Sequence, residues 1–263
     1  MCWVYELPNW LFGVLTVAVT VAIGLIGLFA TRRWVRRVHE DRHSHNEFVA
    51  YFLGAVCVFY GITLGLLAVA TWQTYSDVQT RVGEEAAAVG ALYRDVSGFP
   101  EPNRTELQSD LRRYTRQVID QAWPLQKRGI IPQEEGVTLS MFQAHLAGFE
   151  PSTESQKAIY AEAFRGFDQV AEIRGRRLQS VHGGLAAPLW VVVFSGAFLN
   201  IAVTWFFDMR SKKMHFWMTV FFSALLGLLI YLIGALNSPF QGEIGVDPEP
   251  FKIMYSRRIM EGK

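Results

Sequence analysis

Charged side chains are absent from four long stretches of this sequence, although the chain as a whole has an ordinary content of charge. Of its 263 residues, 19% are charged and 51% are hydrophobic. Each stretch lacks Asp, Glu, Lys, Arg and His over 20 residues or more, and about 20 apolar residues cross the hydrocarbon core of a bilayer. This predicts four membrane-spanning helices, at Leu11–Ala30, Phe48–Thr71, Ala186–Phe207 and Phe216–Leu236.

Other shortages exclude further classes of protein. The two cysteines, Cys2 and Cys57, are too few for a disulfide framework. A net charge of +1 gives no basis for nucleic acid binding. Residues 1–10 contain no Lys or Arg, unlike the start of a signal peptide, so we expect the first span to be retained. We therefore expect the lipid bilayer, rather than nucleic acid, to be a partner of the chain.

No segment shows the alternating apolar pattern of a β-strand, and helical periodicity continues between the second and third spans. The predicted fold is an all-α integral membrane protein, with four transmembrane helices and a helical extramembrane domain inserted between spans 2 and 3. The predicted divisions are spans 1 and 2 with a basic loop (1–74), the extramembrane domain (75–185), spans 3 and 4 (186–237), and a tail packing on that domain (238–263).

The stretch Asn46–Val96 is predicted to form one continuous helix that crosses the membrane and extends beyond it. It contains no proline, and its second half places apolar residues at heptad spacing, with Glu85 as the exception. Gly98 and Pro100 are predicted to end this helix. The second part of the helix would then belong to the extramembrane domain.

Lys and Arg in short loops predict the orientation, because such loops stay on the cytoplasmic side. Thr31–Glu47 contains five arginines, and Asp208–His215 contains three basic residues. Both loops are therefore predicted to be cytoplasmic. This orientation would place the termini and the central helical domain on the outer side of a bacterial cytoplasmic (inner) membrane.

Little in the sequence points to an enzyme. His39, Glu40 and His43 match the H-E-x-x-H pattern of zinc peptidases, but they lie in a short arginine-rich connector that lacks a third ligand and a shielded cleft. The spans contain no ionisable residue of the kind that proton-coupled transporters use. We therefore expect no catalytic residues, no metal site and no cofactor.

Several short sequences are distributed along the chain: Asn46-Glu47, Trp72-Gln73-Thr74-Tyr75, Glu84-Glu85-Ala86, Leu92-Tyr93-Arg94, Arg174-Gly175-Arg176-Arg177-Leu178, Pro188-Leu189-Trp190, Ala235-Leu236-Asn237-Ser238-Pro239-Phe240 and Gly242. Together they resemble the bestrophin-like family of bacterial and plant membrane proteins. The resemblance extends over most of the chain and implies an oligomeric anion channel. Bestrophins themselves are pentameric chloride channels with a phenylalanine-lined neck on the second span and cytosolic soluble domains.

Span 2 supplies the candidate pore residues, because phenylalanines recur along one face of it. In a symmetric ring they would form stacked constrictions, and the positive edges of their rings would tolerate anions. The alternative is that they face lipid or pack on span 1. The pore-lining candidates are Phe48, Phe52, Ala55, Phe59 and Ile62. Another face carries Gly54, Gly61 and Gly65, which suit close helix packing.

Glu84 and Glu85 follow on the projecting part of the same helix. Repeated around an axis they would form a charged ring that attracts cations. Alternatively, they pair within one chain with the basic cluster that contains Arg174 and Arg177, at a seam between two apolar stripes.

Two functional hypotheses follow. The first is a homo-oligomeric ion channel, pentameric and anion-conducting if it follows the resemblance, with inorganic ions as its substrates and span 2 lining the pore. The alternative is a membrane-anchored interaction or sensor protein that uses its outer helical domain to recognise a partner.

Overall fold

The computed structural model describes residues 7–38 and 42–260, which contain helices and no β-strand. Four helices are long and apolar enough to cross a membrane, so the predictions of an all-helical chain and of four spans are confirmed. The spans are α1, α2, α7 and α8. The nine α-helices in these residues are α1 Asn9–Val38, α2 Arg42–Asp95, α3 Asn103–Gln117, α4 Trp123–Lys127, α5 Glu134–Ala147, α6 Glu154–Gln179, α7 Ala187–Thr204, α8 Lys212–Leu236 and α9 Glu249–Met254.

The chain forms two compact units, and α2 contributes to both, with the division after Gln73. The first unit contains α1, the beginning of α2, α7 and α8. Its apolar core lies between α2, α7 and α8. The buried side chains of this core are Tyr60, Leu64, Leu67, Val193, Ala197, Ile201, Leu226, Ile230 and Ile233.

Small residues allow α1 and α8 to approach closely. A Cβ atom built on Gly24 would lie inside contact distance of the Ser223 hydroxyl, and one on Gly227 would do the same at Thr20. Gly27 lies against the Trp205 indole, which donates a hydrogen bond of 2.9 Å to the carbonyl of Gly24. Without a hydrophobic driving force between helices in lipid, such close packing holds spans together.

The second unit contains the remainder of α2, the helices α3 to α6, and the segment that begins at Ser238. Its core is formed by the heptad positions of α2 together with the apolar stripes of the other helices. Trp123 is 2% exposed, contacts Phe240 and Phe251, and donates a hydrogen bond of 3.0 Å to the carbonyl of Val246. The C-terminal segment therefore belongs to the core of this unit.

Local signals account for several helix ends. The hydroxyl of Thr153 caps α6 by accepting a hydrogen bond from the Gln156 N–H group. Pro124 lacks an N–H group, and a π-helical turn at Val118–Ala122 precedes it, between α3 and α4. The long helix α2 ends at Asp95, just before Gly98 and Pro100.

Candidate functional site

The phenylalanine face of α2 is open in the single chain. Phe48, Phe52, Phe59 and Ile62 are 71%, 51%, 75% and 59% exposed, and Ala55 is exposed as well. At about 100° per residue, these five side chains fall within roughly 80° of one another around the helix axis. They form a continuous stripe on this span, which we call the phenylalanine face.

The glycine face of α2, formed by Gly54, Gly61 and Gly65, is also open. Among the described residues, no atom of another element lies within 4 Å of a Cβ built on any of the three. At about 100° per residue, this face is centred roughly 120° from the phenylalanine face. None of the described helices of the chain, therefore, uses the close approach that these glycines permit.

The third face of α2 holds the span in its own unit. Tyr60, Leu64 and Leu67 are buried against α7 and α8, and they are centred roughly 120° from the phenylalanine face on the other side. The hydroxyl of Tyr60 donates a hydrogen bond of 2.6 Å to the carbonyl of Val193. The thiol of Cys57 approaches the side-chain carbonyl of Asn200 at 3.3 Å.

Glu85 lies at the centre of a buried ionic cluster in the second unit. Arg177 donates hydrogen bonds to both of its carboxylate oxygens, at 2.7 and 3.2 Å, and Tyr114 donates another at 2.6 Å. Arg177 also donates to Glu135, at 3.0 and 3.2 Å. Glu85, Glu135 and Arg177 are each no more than 1% exposed. Within the chain, Glu85 is therefore paired with Arg177 and is not exposed as a member of a charged ring would be.

The electrostatics keep this cluster charged. Burial alone would lower the pKa of Arg177, but attraction to Glu85 and Glu135 raises it above its ordinary value. Burial, followed by the negative charge of Glu85, raises the pKa of the Tyr114 hydroxyl, which therefore remains a hydrogen-bond donor. The guanidinium also lies 5.8 Å from the centre of the Trp123 ring.

The other charged candidates lie at the edge of the cluster or outside it. Arg174 donates a hydrogen bond of 3.1 Å to Glu135, and its side chain is 17% exposed. Glu84 is exposed on α2. The structure therefore brings together Glu85, Arg174 and Arg177, but it leaves Glu84 apart from them.

Sequence reasoning missed Glu135 and Tyr114 as members of this cluster. A signal was available for Glu135, because it precedes Leu139, Phe142 and Leu146 at intervals of four, three and four residues. A glutamate at a core-facing position of a helix needs a cationic partner. The partner itself is 42 residues away in the chain, a distance that no local pattern spans.

The H-E-x-x-H pattern falls mostly outside the described residues, which exclude His39, Glu40 and Asp41. Its last member, His43, lies in α2, but its side chain is not among those described. In the described part of the chain, no group of three or more His, Cys, Asp or Glu side chains is arranged to hold a metal ion.

The fold defines a class of protein, which is an all-helical integral membrane protein with four spans. A family model for the bestrophin-like domain matches residues 18–251, so the chain belongs to the bestrophin-like family. The resemblance seen in the sequence is thereby confirmed. No curated protein matches the sequence.

Solved structures show the same fold. One variant of a bacterial bestrophin homologue from Klebsiella pneumoniae is 13% identical, with a TM-score of 0.66, over 95% of this chain and 99% of that one. A second variant of a Klebsiella pneumoniae homologue is 12% identical, with a TM-score of 0.68, over 94% of this chain and 99% of that one. At this level of identity the likeness establishes the fold, while function has to be argued from the residues of this chain.

Proposed function

We propose that the protein is a homo-oligomeric ion channel that conducts anions, with the phenylalanine face of α2 lining its pore. The observation that carries this proposal is the division of span 2 into three faces. One face packs on α7 and α8, one consists of exposed aromatic and aliphatic side chains, and one consists of glycines with open space in front of them.

A helix that lines a central pore in a ring of subunits needs three such faces. It must contact its own subunit, the neighbouring subunit and the pore axis. Glycines allow a neighbouring backbone to approach closely, so Gly54, Gly61 and Gly65 suit the contact with a second copy. The phenylalanine face is then left for the axis, where apolar rings can gate ions by dewetting. A pentamer is the assembly that the family resemblance suggests.

The charges of the second unit are compatible with anions. Glu85 would oppose anion entry if it formed an acidic ring, but Arg177 neutralises it within the chain. The phenylalanine face itself carries no charge, and aromatic edges present positive potential. Glu84 remains as an exposed carboxylate, which we expect to affect conductance less than the constrictions do.

Chloride flux into proteoliposomes tests the proposal. Phe52→Ala and Phe59→Ala each replace a ring by a methyl group and so widen the proposed constriction at that level. We therefore expect each variant to conduct chloride faster than the unmodified protein. Phe221→Ala is the matched control, because Phe221 is 67% exposed on α8 and lies outside the proposed pore. No flux from the unmodified protein, or an equal effect of Phe221→Ala, would contradict the assignment of the pore.

The same experiment separates the channel from its alternative. A membrane-anchored interaction or sensor protein would conduct no ions, and its activity would lie in the second unit. If proteoliposomes show no flux under any applied potential or pH while the full chain captures a defined partner through residues of the second unit, the alternative replaces the channel.

We also propose that the second unit is extramembrane and lies on the outer side of a bacterial inner membrane, together with the termini. The basic loops before α2 and before α8 support this orientation. Cysteines introduced at Gln169 and at Lys213, in a variant without natural cysteines, test it in intact spheroplasts. A membrane-impermeant maleimide should label only position 169, whereas exclusive labelling of position 213 would reverse the orientation.

A further inference from the structure

Three arginines lie along one stripe of α3, on the surface of the second unit. Arg112, Arg113 and Arg116 line an open cleft of about 500 Å³, together with Ser109 and Asp120. Arg116 lies four residues after Arg112 and three after Arg113, and these spacings place side chains next to each other on a helix. The cleft is therefore bordered by three positive charges and one negative charge.

Two of these guanidinium groups are held in place by tyrosines. Arg112 donates hydrogen bonds of 3.1 and 2.6 Å to the Tyr93 hydroxyl, and its guanidinium lies 5.6 Å from the centre of that ring. Arg116 donates a hydrogen bond of 2.6 Å to the Tyr255 hydroxyl, and its guanidinium lies 5.5 Å from the centre of that ring. A tyrosine orients an arginine without neutralising it, so both positive charges remain.

This arrangement differs from that of other arginines in the same unit. Five of them form ion pairs with carboxylates: Arg104, Arg165, Arg174, Arg176 and Arg177. Within the described part of the chain, none of the three cleft arginines forms an ion pair. Like charges one helical turn apart destabilise a helix by a few tenths of a kcal/mol, and a bound anion would remove that repulsion.

We propose that this cleft binds a phosphate-bearing anion. A guanidinium presents parallel N–H groups that match the oxygens of phosphate in a bidentate way. The tyrosines engage one edge of Arg112 and of Arg116, so their remaining N–H groups are available to such a ligand. Ser109 and Gln121 add polar side chains at the border of the cleft. A phosphate compound in solution and a lipid headgroup share this chemistry.

Pyrophosphate binding to the full-length protein in detergent, measured by isothermal titration calorimetry at low salt, tests the site. Arg113→Gln should weaken the affinity about tenfold, because it removes a hydrogen bond between charged groups. Asp120→Asn should tighten binding, because it removes the one negative charge that borders the cleft. Damage to the fold would not produce such a gain. Arg165→Gln is the matched control, since Arg165 is an exposed arginine of α6 that pairs with Glu162.

Nanodiscs distinguish the two sources of phosphate. If the natural ligand is a headgroup, discs containing phosphatidylglycerol will compete with pyrophosphate, and those of pure phosphatidylcholine will not. If it is a soluble compound, pyrophosphate will bind equally in both. The proposal is overturned if pyrophosphate does not bind the unmodified protein and phosphatidylglycerol binds the unmodified protein and Arg113→Gln equally. It is also overturned if Arg165→Gln weakens pyrophosphate binding as much as Arg113→Gln.

Discussion

Replacing Arg177 by methionine is expected to destabilise the second unit strongly. The side chain is fully buried and donates four hydrogen bonds to Glu85 and Glu135. Methionine fills a similar volume but leaves both carboxylates in the core, with Arg174 as the nearest remaining cation that contacts Glu135. Removing one partner of a buried ion pair costs about 3–5 kcal/mol, because an uncompensated charge stays behind.

Thermal unfolding in detergent measures this loss. Trp123 lies 5.8 Å from the Arg177 guanidinium, so its fluorescence reports on this part of the core. At about 2–4 °C for each kcal/mol in a chain of this size, the midpoint should fall by roughly 10 °C. Attraction to the two carboxylates raises the pKa of Arg177 above its ordinary value, so the guanidinium is charged at neutral pH and a substitution is needed to remove this charge.

A matched control uses the neighbouring residue in the same helix. Arg176 pairs with Glu172, but the two side chains are 60% and 63% exposed, and such surface pairs contribute about 0–1 kcal/mol. Arg176→Met should therefore change the midpoint by no more than about 3 °C. Equal effects of Arg176→Met and Arg177→Met would refute the view that burial makes this cluster important.

The double variant Glu85→Gln/Arg177→Met provides an internal check. Glutamine still accepts the hydrogen bond from Tyr114, and Glu135 keeps its pairing with Arg174. The pair of substitutions removes one charge of each sign, so the double variant should be more stable than Arg177→Met alone. A double variant that is less stable than the single one would show that packing, rather than charge, determines the loss.

Two other substitutions address each unit separately. Gly27→Ala should lower stability by about 1–3 kcal/mol in thermal unfolding, because its methyl group would overlap the Trp205 indole; Gly175→Ala, with open space around it, should cause no loss. Asp95→Asn should stabilise the protein by about 0.5 kcal/mol at pH 7, because Asp95 ends α2 at the negative pole of its dipole. Burial, followed by repulsion from Glu162, raises the pKa of the Asp95 carboxyl in the folded protein. The protonated carboxyl therefore favours the folded protein at low pH, and this contribution to stability is lost as the pH rises through the raised pKa. The gain from Asp95→Asn should accordingly disappear below pH about 4, and a gain that persists there would contradict the electrostatic origin.

The spans were predictable from sequence because membrane insertion depends on a local property, the exclusion of charge over some 20 residues. The unbroken course of α2 was predictable for a similar reason, since nothing between Asn46 and Asp95 interrupts a helix. The first residue of α2 was predicted less accurately, because the helix starts at Arg42 rather than at Asn46. Arginine and histidine residues are compatible with a helix, and hydrophobic periodicity does not register them.

The sequence did not predict which residues of distant segments contact one another. Glu85 and Arg177 are 92 residues apart. The pattern alone did not distinguish a charged ring formed by Glu85 in several subunits from a pairing of Glu85 within one chain. Likewise, the glycines of span 1 do not name their neighbours in the sequence, and only the structure identifies α8 and Trp205 as what Gly24 and Gly27 approach. Such pairings depend on which helices become neighbours, which is a property of the whole chain.

The two open faces of α2 differ in a way that bears on assembly. Exposure in one chain does not by itself assign a face of a membrane helix, because side chains that face lipid, a neighbouring subunit or a pore are all exposed when the chain is considered alone. Side-chain size can help, since glycines add nothing to lipid contact and lower helix propensity by about 1 kcal/mol each. Three of them on one face, at Gly54, Gly61 and Gly65, are therefore better explained by a backbone that approaches closely. Because no backbone within the described chain does so, their presence supports the proposal that a second copy is the partner, with the phenylalanine face next to them directed towards the axis of the assembly.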